Sequence, residues 1–405
     1  MGSKKVKAIV FHGQAKREVA DEERVEDFRK KTLAKSKDNP GVAAYKNLGT
    51  PMMVALLTNV ASFPTRYWAQ GKYEHWEKLT AETMNQRLGT KPRACNKCFM
   101  ACGKLSVVPE GRHKGLKIEG PEYETIYAFG GLCMIDRIEE IAYLNDICDN
   151  LGMDTITAGN LAAFTIEASR RGRIGDKLDY GDVDGIAQLL DRIVKREGSG
   201  AVLAEGIRVA SKEWGLENIA IHVKGMEPAG YDPRSLKGMG LAFATSDRGA
   251  CHLRTTFYKP ELAGISPPDE IDGKAKIFVD FEDRLNIFDT MIFCRFYRDL
   301  YQWDDLREVI RATTGMELSA DDLRRIASNI SDATRVFNIR EGLTKEDDTL
   351  PRRFFEEPIE EGKIIKREDF NRLLAEYYKL RGWDESGVPR DHLAGIRGRE
   401  SAVSG

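Results

Sequence analysis

Residues 91–104, Lys-Pro-Arg-Ala-Cys-Asn-Lys-Cys-Phe-Met-Ala-Cys-Gly-Lys, set Cys95, Cys98 and Cys102 in a C-x2-C-x3-C array. Three of the chain's seven cysteines thus fall within eight residues. Thiolates this close hold a soft metal or an iron–sulfur cluster, and the flanking Arg93, Lys97 and Lys104 favour the deprotonated sulfurs that ligation requires. Two other readings stay open on spacing alone. On a helix the three cysteines would share one face and pack as small hydrophobes. A tetrahedral zinc site usually comes as two separated pairs, and the chain has no second C-x2-C. An iron–sulfur cluster needs a fourth ligand from elsewhere in the chain.

Working outward, 405 residues at 41% hydrophobic content can bury sizeable cores, and the length suggests two or three domains. The 62 basic and 64 acidic residues nearly cancel, which points away from nucleic acid and from membrane surfaces as partners. The cysteines are odd in number and clustered, and no signal-like apolar segment opens the chain, so a reducing cytoplasm is the expected compartment. The most apolar short stretches, such as Met52 to Leu57, are far too brief to span a membrane.

Along the chain, Val6 to Phe11 reads as a strand with nothing before it to pair with. Helices are expected over Asp21–Lys35, Gly49–Val60 and His75–Leu88, the last leading into the cysteines. Gly111–Gly120 reads as a polar loop. Further helices are expected over Glu139–Asn150, from an Asp154 or Thr155 cap to about Arg171, over Val183–Arg196 and over Gly200–Gly215, with a short strand at Ile219–Val223. Glycine and proline then crowd 224–249, which places a domain boundary near Lys224. Helices resume over Asp280–Tyr297, Asp305–Thr314, Ala320–Glu341 and Glu368–Arg381, with Asp304 and Ser319 as caps. The tail from Gly387 is expected to be mobile.

Five motifs occur in a fixed order: Gly-Ser-Lys-Lys-Val-Lys-Ala at the start, the cysteine array, Gly-Pro-Glu-Tyr-Glu-Thr at 120–125, Asp-Asn-Leu-Gly-Met-Asp at 149–154, and Tyr231-Asp-Pro-Arg234 through Arg248-Gly-Ala-Cys-His-Leu-Arg254. A sixth is Asp289-Thr-Met-Ile-Phe-Cys294. With these motifs the chain resembles the second and third domains of the tungsten-containing aldehyde ferredoxin oxidoreductase family over nearly its whole length. The resemblance implies a mainly α fold of two helical domains. Residues 1–15 would be the residual strand of a missing first α+β domain, 16–223 the helical domain with the array, and 224–405 the helical domain with His252, Asp289 and Cys294.

The resemblance also implies cofactors and roles. Cys294 would be the fourth ligand of a 4Fe-4S cluster, joining Cys95, Cys98 and Cys102. Beside it would lie tungstopterin, a tungsten or molybdenum bis-pterin. Asp149, Gly152 and Asp154 in the first segment, Asp289 in the second, and Arg93 beside the array are the implied cofactor contacts. A carboxylate can accept from the amino and ring N–H groups of a pterin. The second segment lacks the family's glycine. Glu124, with Glu122 as its rival, and His252 match the family's proton-handling pair, and aldehyde oxidation does need a base near the reacting carbon. Arg248 and Arg254 would serve pterin phosphate or protein carboxylates.

The implied function is oxidation of an aldehyde to a carboxylic acid, with electrons leaving through the cluster to ferredoxin. The family's first domain, which forms the base on which both pterins lie, would be missing apart from its final strand; a split gene with a separately encoded first domain, a start assigned too late and a fragment in need of a partner all stay open, as does a homodimer. Two alternatives stand beside this: an iron–sulfur electron-transfer subunit without turnover of its own, and a family member that reduces an acid or an aromatic thioester.

Overall fold

A computed structural model describes residues 5–14 and 18–390. The chain is built from helices, and their ends follow capping chemistry. In α1 (Glu22–Lys37) the Asp21 carboxylate accepts from Arg24 N at 3.0 Å, acidic residues occupy the first turn and lysines the last. Asn39 caps α2 (Pro40–Asn47), whose proline sits at the first turn where no N–H is needed. A 3-10 turn leads into α3 (Met53–Asn59), and Thr80 caps α4 (Ala81–Leu88).

The described residues then form one small antiparallel sheet of β1 (Lys91–Arg93), β2 (Gly103–Val107) and β3 (Lys117–Glu119). Lys91 pairs with Leu105 and Arg93 with Gly103, while Leu105 pairs with Glu119. The short α5 (Tyr123–Thr125) continues into a π-helical turn over Ile126–Gly131, where every residue is buried. Next come α6 (Ile138–Leu151), ended by Gly152 at φ 70°, and α7 (Thr155–Arg170), capped by Asp154. The π turn lies against α7 at Gly159, where an added Cβ would stand 2.6 Å from the Ala128 Cβ. Only glycine permits that approach.

The remaining helices are α8 (Val183–Lys195), α9 (Ser199–Leu203), α10 (Ile207–Glu213), α11 (Lys237–Thr245), α12 (Tyr258–Leu262), α13 (Lys274–Thr290), α14 (Trp303–Thr314), α15 (Ala320–Arg340), α16 (Arg352–Glu356) and α17 (Arg367–Arg381). The main apolar core takes residues from Met53 to Trp383. A second cluster, including Leu285, Phe288, Leu306 and Leu323, fills the space between α13, α14 and α15. A third, around Tyr45, Met100 and Leu300, includes Cys98, Cys102 and Tyr297 and so packs the cysteine loop on the segment after α13. No helix among the described residues is long and apolar enough to cross a membrane.

The Tyr231-Asp-Pro-Arg234 motif is a packing device for this core. Arg234 and Asp232 are fully buried, and the guanidinium donates to both Asp232 oxygens at 2.9 and 2.6 Å, to Trp68 O at 2.6 Å and to Glu357 O at 2.9 Å. Every charge taken from water there is answered, as burial demands.

Several expectations are corrected. Val6–Phe11 forms no strand: its backbone makes no ladder, and Val10 and Phe11 are 87% and 91% exposed, as befits an apolar segment with no partner strand beside it. Ile219–Val223 forms only an isolated bridge from Val223 to Met226. The helix expected over Gly200–Gly215 is split by Gly206 at φ 88°. The His75–Leu88 helix begins as a 3-10 turn and starts again after Thr80. At α14, Gln302 with Asp305 makes the cap in place of Asp304. Residues 2–4 of the opening motif and most of the tail from Gly387, residues 391–405, lie outside the described residues.

Candidate active site

The cysteines lie on a loop, not on a helix. It is the connection between β1 and β2, and Lys97 and Ala101 take φ of 59° and 47° there, a left-handed conformation uncommon outside glycine. Lys104, buried on β2, fixes this loop by donating from Nζ to Tyr45 O and Cys102 O, each at 3.0 Å, and to Lys46 O at 3.2 Å. Its ammonium therefore serves carbonyls rather than sulfur. Arg93 pairs across the small sheet with Glu119 at 2.6 Å.

Cys294 comes to the same place from the far end of the sequence. Burial, with the neighbouring Cys294, Glu122 and Cys98 acting in the same direction, raises the Cys102 thiol to about 11. Cys98 Sγ lies 3.3 Å from the Tyr297 hydroxyl, and Tyr297 also feels Cys294. Cys95 and Cys294 are exposed and Cys98 and Cys102 half-buried. Thiols that oppose one another's ionisation are relieved when a cation binds among them, so this donor set fits a soft metal group. Among the described residues no three His, Cys, Asp or Glu side chains are grouped to hold one metal ion. A cluster spaces its ligands more widely, one thiolate to each iron.

The two glutamates of 120–125 face different neighbours. Glu122 accepts from the Thr50 hydroxyl, and its charge is felt by Lys104 and Cys102. Glu124 turns toward the other side. Its Oε2 accepts from Gly230 N at 3.0 Å and its Oε1 stands 3.5 Å from His252 Nε2. That Oε1 is buried with no hydrogen-bond partner. Burial pushes the Glu124 carboxyl up to about 8 and the His252 imidazole down to about 3, the latter assisted by Arg248, Arg298 and Arg295. Near neutral pH the pair is thus a largely protonated acid beside a neutral base.

That arrangement has a stability consequence. Glu124 is raised above its ordinary 4.5, so its contribution is fully present below that pH and is lost as pH rises through about 8. His252 is depressed below its ordinary 6.5, so its contribution is present above that value and is lost as pH falls through about 3. Glu124→Gln removes the first of these. Its unfolding midpoint in urea is expected to change less than wild type between pH 5 and 8, where a raised carboxyl contributes up to about 1.4 kcal/mol per pH unit. Parallel curves for the two proteins would place the Glu124 carboxyl at its ordinary value.

The implied pterin contacts sit at element ends. Asp149 is exposed in the last turn of α6 and accepts from Asn145 Nδ2 at 2.9 Å, Gly152 ends that helix, and Asp154 caps α7 through Thr157 N at 3.0 Å. Asp289, exposed near the end of α13, accepts from Arg295 at 2.6 Å and Arg254 at 3.2 Å. Arg254 also grips Asp247 with two bonds of 2.8 and 3.1 Å. Exposed carboxylates suit the N–H donors of a pterin, and the unpartnered Glu124 oxygen leaves an acceptor free inside the site. Arg248, half of the same expectation, instead donates to Cys251 Sγ at 2.9 Å.

Residues not singled out from sequence complete the picture. Glu227 is buried, accepts from the Thr157 hydroxyl at 3.0 Å and is raised to about 7 by burial. An acid inside Gly-Met-Glu-Pro-Ala-Gly was its only signal. Tyr297 and Arg298 follow Cys294 in an aromatic, basic run with no motif of its own.

Comparison with known proteins agrees with the motifs. Residues 27–394 match the family described as aldehyde ferredoxin oxidoreductase, domains 2 and 3. The tungsten-containing aldehyde ferredoxin oxidoreductases of Pyrococcus furiosus and Pyrococcus horikoshii are 32% and 34% identical, each over 97% of this chain and 67% of the relative. The chain therefore spans about two thirds of the length of these curated relatives. Among solved structures, a chain of the active-site complex BamBC of benzoyl coenzyme A reductase shares the fold at a TM-score of 0.72 and 18% identity, covering 94% of this chain and 65% of that one. Ordered motifs, helical architecture and a match over most of the sequence agree, and the chain belongs to the aldehyde ferredoxin oxidoreductase family, in the part formed by domains 2 and 3.

Proposed function

We propose that this chain is the helical part of an enzyme that oxidises an aldehyde to its carboxylic acid and passes the electrons, one at a time, through a 4Fe-4S cluster to ferredoxin. The observation that carries the proposal is the close pair of Glu124 and His252, with displaced proton affinities, in a chain of this family. Cys95, Cys98, Cys102 and Cys294 would hold the cluster. Asp149, Gly152, Asp154, Asp289 and Arg93 would contact a tungsten or molybdenum bis-pterin. When bound, that cofactor supplies the two-electron chemistry at the aldehyde carbon.

The remaining work falls to side chains. Conversion of an aldehyde and water to an acid releases two electrons and two protons. Neutral His252 can accept a proton at Nε2, and Glu124 can hold or return one at Oε1, while Gly230 N fixes the carboxyl. Burial keeps bulk water from levelling their affinities. Residues 16–223 would bring the array and Glu124, and residues 224–405 His252, Asp289 and Cys294, so the site is shared between them. The clustered thiols support a reducing cytoplasm as the compartment.

The test is anaerobic purification of the chain with its native partners. Aldehyde-dependent reduction of ferredoxin should accompany tungsten together with about four iron and four sulfide, as four-cysteine ligation implies. Iron and sulfide without tungsten or aldehyde oxidation would make the chain an electron-transfer subunit instead.

A further inference from the structure

A guanidinium stays charged at any working pH, so a buried arginine either meets a carboxylate or leaves positive charge in a poorly polarisable interior. Arg234 and Arg381 take the first course, pairing with Asp232 and with Glu282 and Asp283. Arg298 takes the second. It is 1% exposed, its Nη1 donates to Arg295 O at 2.7 Å, and its Nη2 reaches only the neutral hydroxyls of Tyr258 and Tyr45 at 3.3 and 3.4 Å. Its Nε has no hydrogen-bond partner. The nearest carboxylate, on half-exposed Asp299, stands 4.0 Å from Nε and lies closer to Lys259, at 3.5 Å.

The position of this charge gives it a use. Arg298 follows Cys294 by four residues, and its partner Tyr45 packs on Phe296 at 4.7 Å within the cluster that contains Cys98 and Cys102. Its other partner, Tyr258, stacks on Tyr231 at 4.1 Å, and the Tyr231 ring lies 5.6 Å from that of His252. The guanidinium therefore stands between the cysteines and the acid–base pair. Of the other cations nearby, Lys97 is exposed to water, Lys104 is held by carbonyls, Lys259 by Asp299, and Arg295 and Arg254 by Asp289.

We propose that Arg298 is a tuning residue: its weakly compensated charge stabilises the extra electron of a reduced iron–sulfur cluster on Cys95, Cys98, Cys102 and Cys294, raising that cluster's reduction potential. This rests on the cluster reading above. One electron enters, no bond forms or breaks, and the added negative charge is met by a cation that water does not screen. Net charge near the cluster is among the levers that set such potentials.

The experiment is a dithionite titration of the anaerobically purified chain with mediators, following the reduced cluster by electron paramagnetic resonance. Arg298→Met and Arg298→Gln, with iron content retained, are expected to shift the midpoint to more negative potential, and Arg298→Lys to stay near wild type. Met and Gln variants at the wild-type midpoint would overturn the proposal, as would a Lys variant displaced as far as Met. Tyr258→Phe keeps the guanidinium and removes an oxygen that faces it, so its midpoint is expected to move the other way. An unmoved or more negative value there overturns the proposal even if the arginine variants lose iron. Wild-type protein without iron and sulfide would overturn the cluster reading, and the role of Arg298 with it.

Discussion

Replacing His252 with Ala, or Glu124 with Gln, in the assembled enzyme is expected to lower turnover by about 10²–10⁴-fold, the usual contribution of a positioned general acid or base. Tungsten and iron contents should stay near those of wild type, because neither residue belongs to the proposed cofactor contacts. The geometry explains why the effect should be large at both positions. Each side chain is the other's near neighbour at 3.5 Å, and Glu124 Oε1 has no other partner. Gln at 124 can still accept from Gly230 N, so the loss reports the missing proton rather than a collapsed loop. Glu122→Gln is the control. Its carboxylate is tied to Thr50 on the cysteine side, and its replacement should cost much less. A loss below about tenfold at His252 or Glu124 would make that residue structural or redundant.

The chain's own chemistry made some of this legible and hid the rest. Helix starts were readable at Asp154 and Ser319, where a short polar side chain precedes an amphipathic run and caps it over three residues, but not at α14, where Gln302 takes the place expected of Asp304. The cysteine loop was not readable as a loop. Spacings of three and four are equally those of a helix face, and what unwinds it is tertiary: Lys104 gathering carbonyls from the α2 end and from the loop itself. The strand expected at Val6–Phe11 had the right residue types, but a ladder needs a neighbour and none stands beside it among the described residues. In the site, Glu122 and Glu124 were indistinguishable by motif, and only the fold sets one beside Thr50 and the other beside His252. Arg298 carries no signature and Glu227 only its place in a glycine- and proline-rich run, since what marks them is burial without, or with little, compensation.

Cys98→Ala is expected to abolish the iron–sulfur chromophore, while Cys133→Ala should leave it intact. Both are cysteine-to-alanine changes, and the difference lies in where each sulfur stands. Cys133 is fully buried against Ala128 O and Gly159 O at 3.5 Å, in apolar surroundings that hold its thiol protonated, a structural cysteine with no access to metal. Cys98 is half-buried on the loop between β1 and β2, beside Tyr297, and with Cys294 it is near enough to Cys102 to raise that thiol. Four thiolates leave each iron one protein ligand, so losing one opens a coordination position to water and the cluster disassembles. Anaerobically purified wild type should carry about four iron and four sulfide, the Cys133 variant the same, and the Cys98 variant neither. Stoichiometric zinc with no iron in the wild type would instead favour a closed tetrahedral site. Cys294→Ala then gives the sharpest readout. The sequence separation of Cys294 from the array means that its loss can abolish the chromophore only if the segment after α13 folds back onto the cysteine loop, as the packing of Tyr297 and Leu300 there requires.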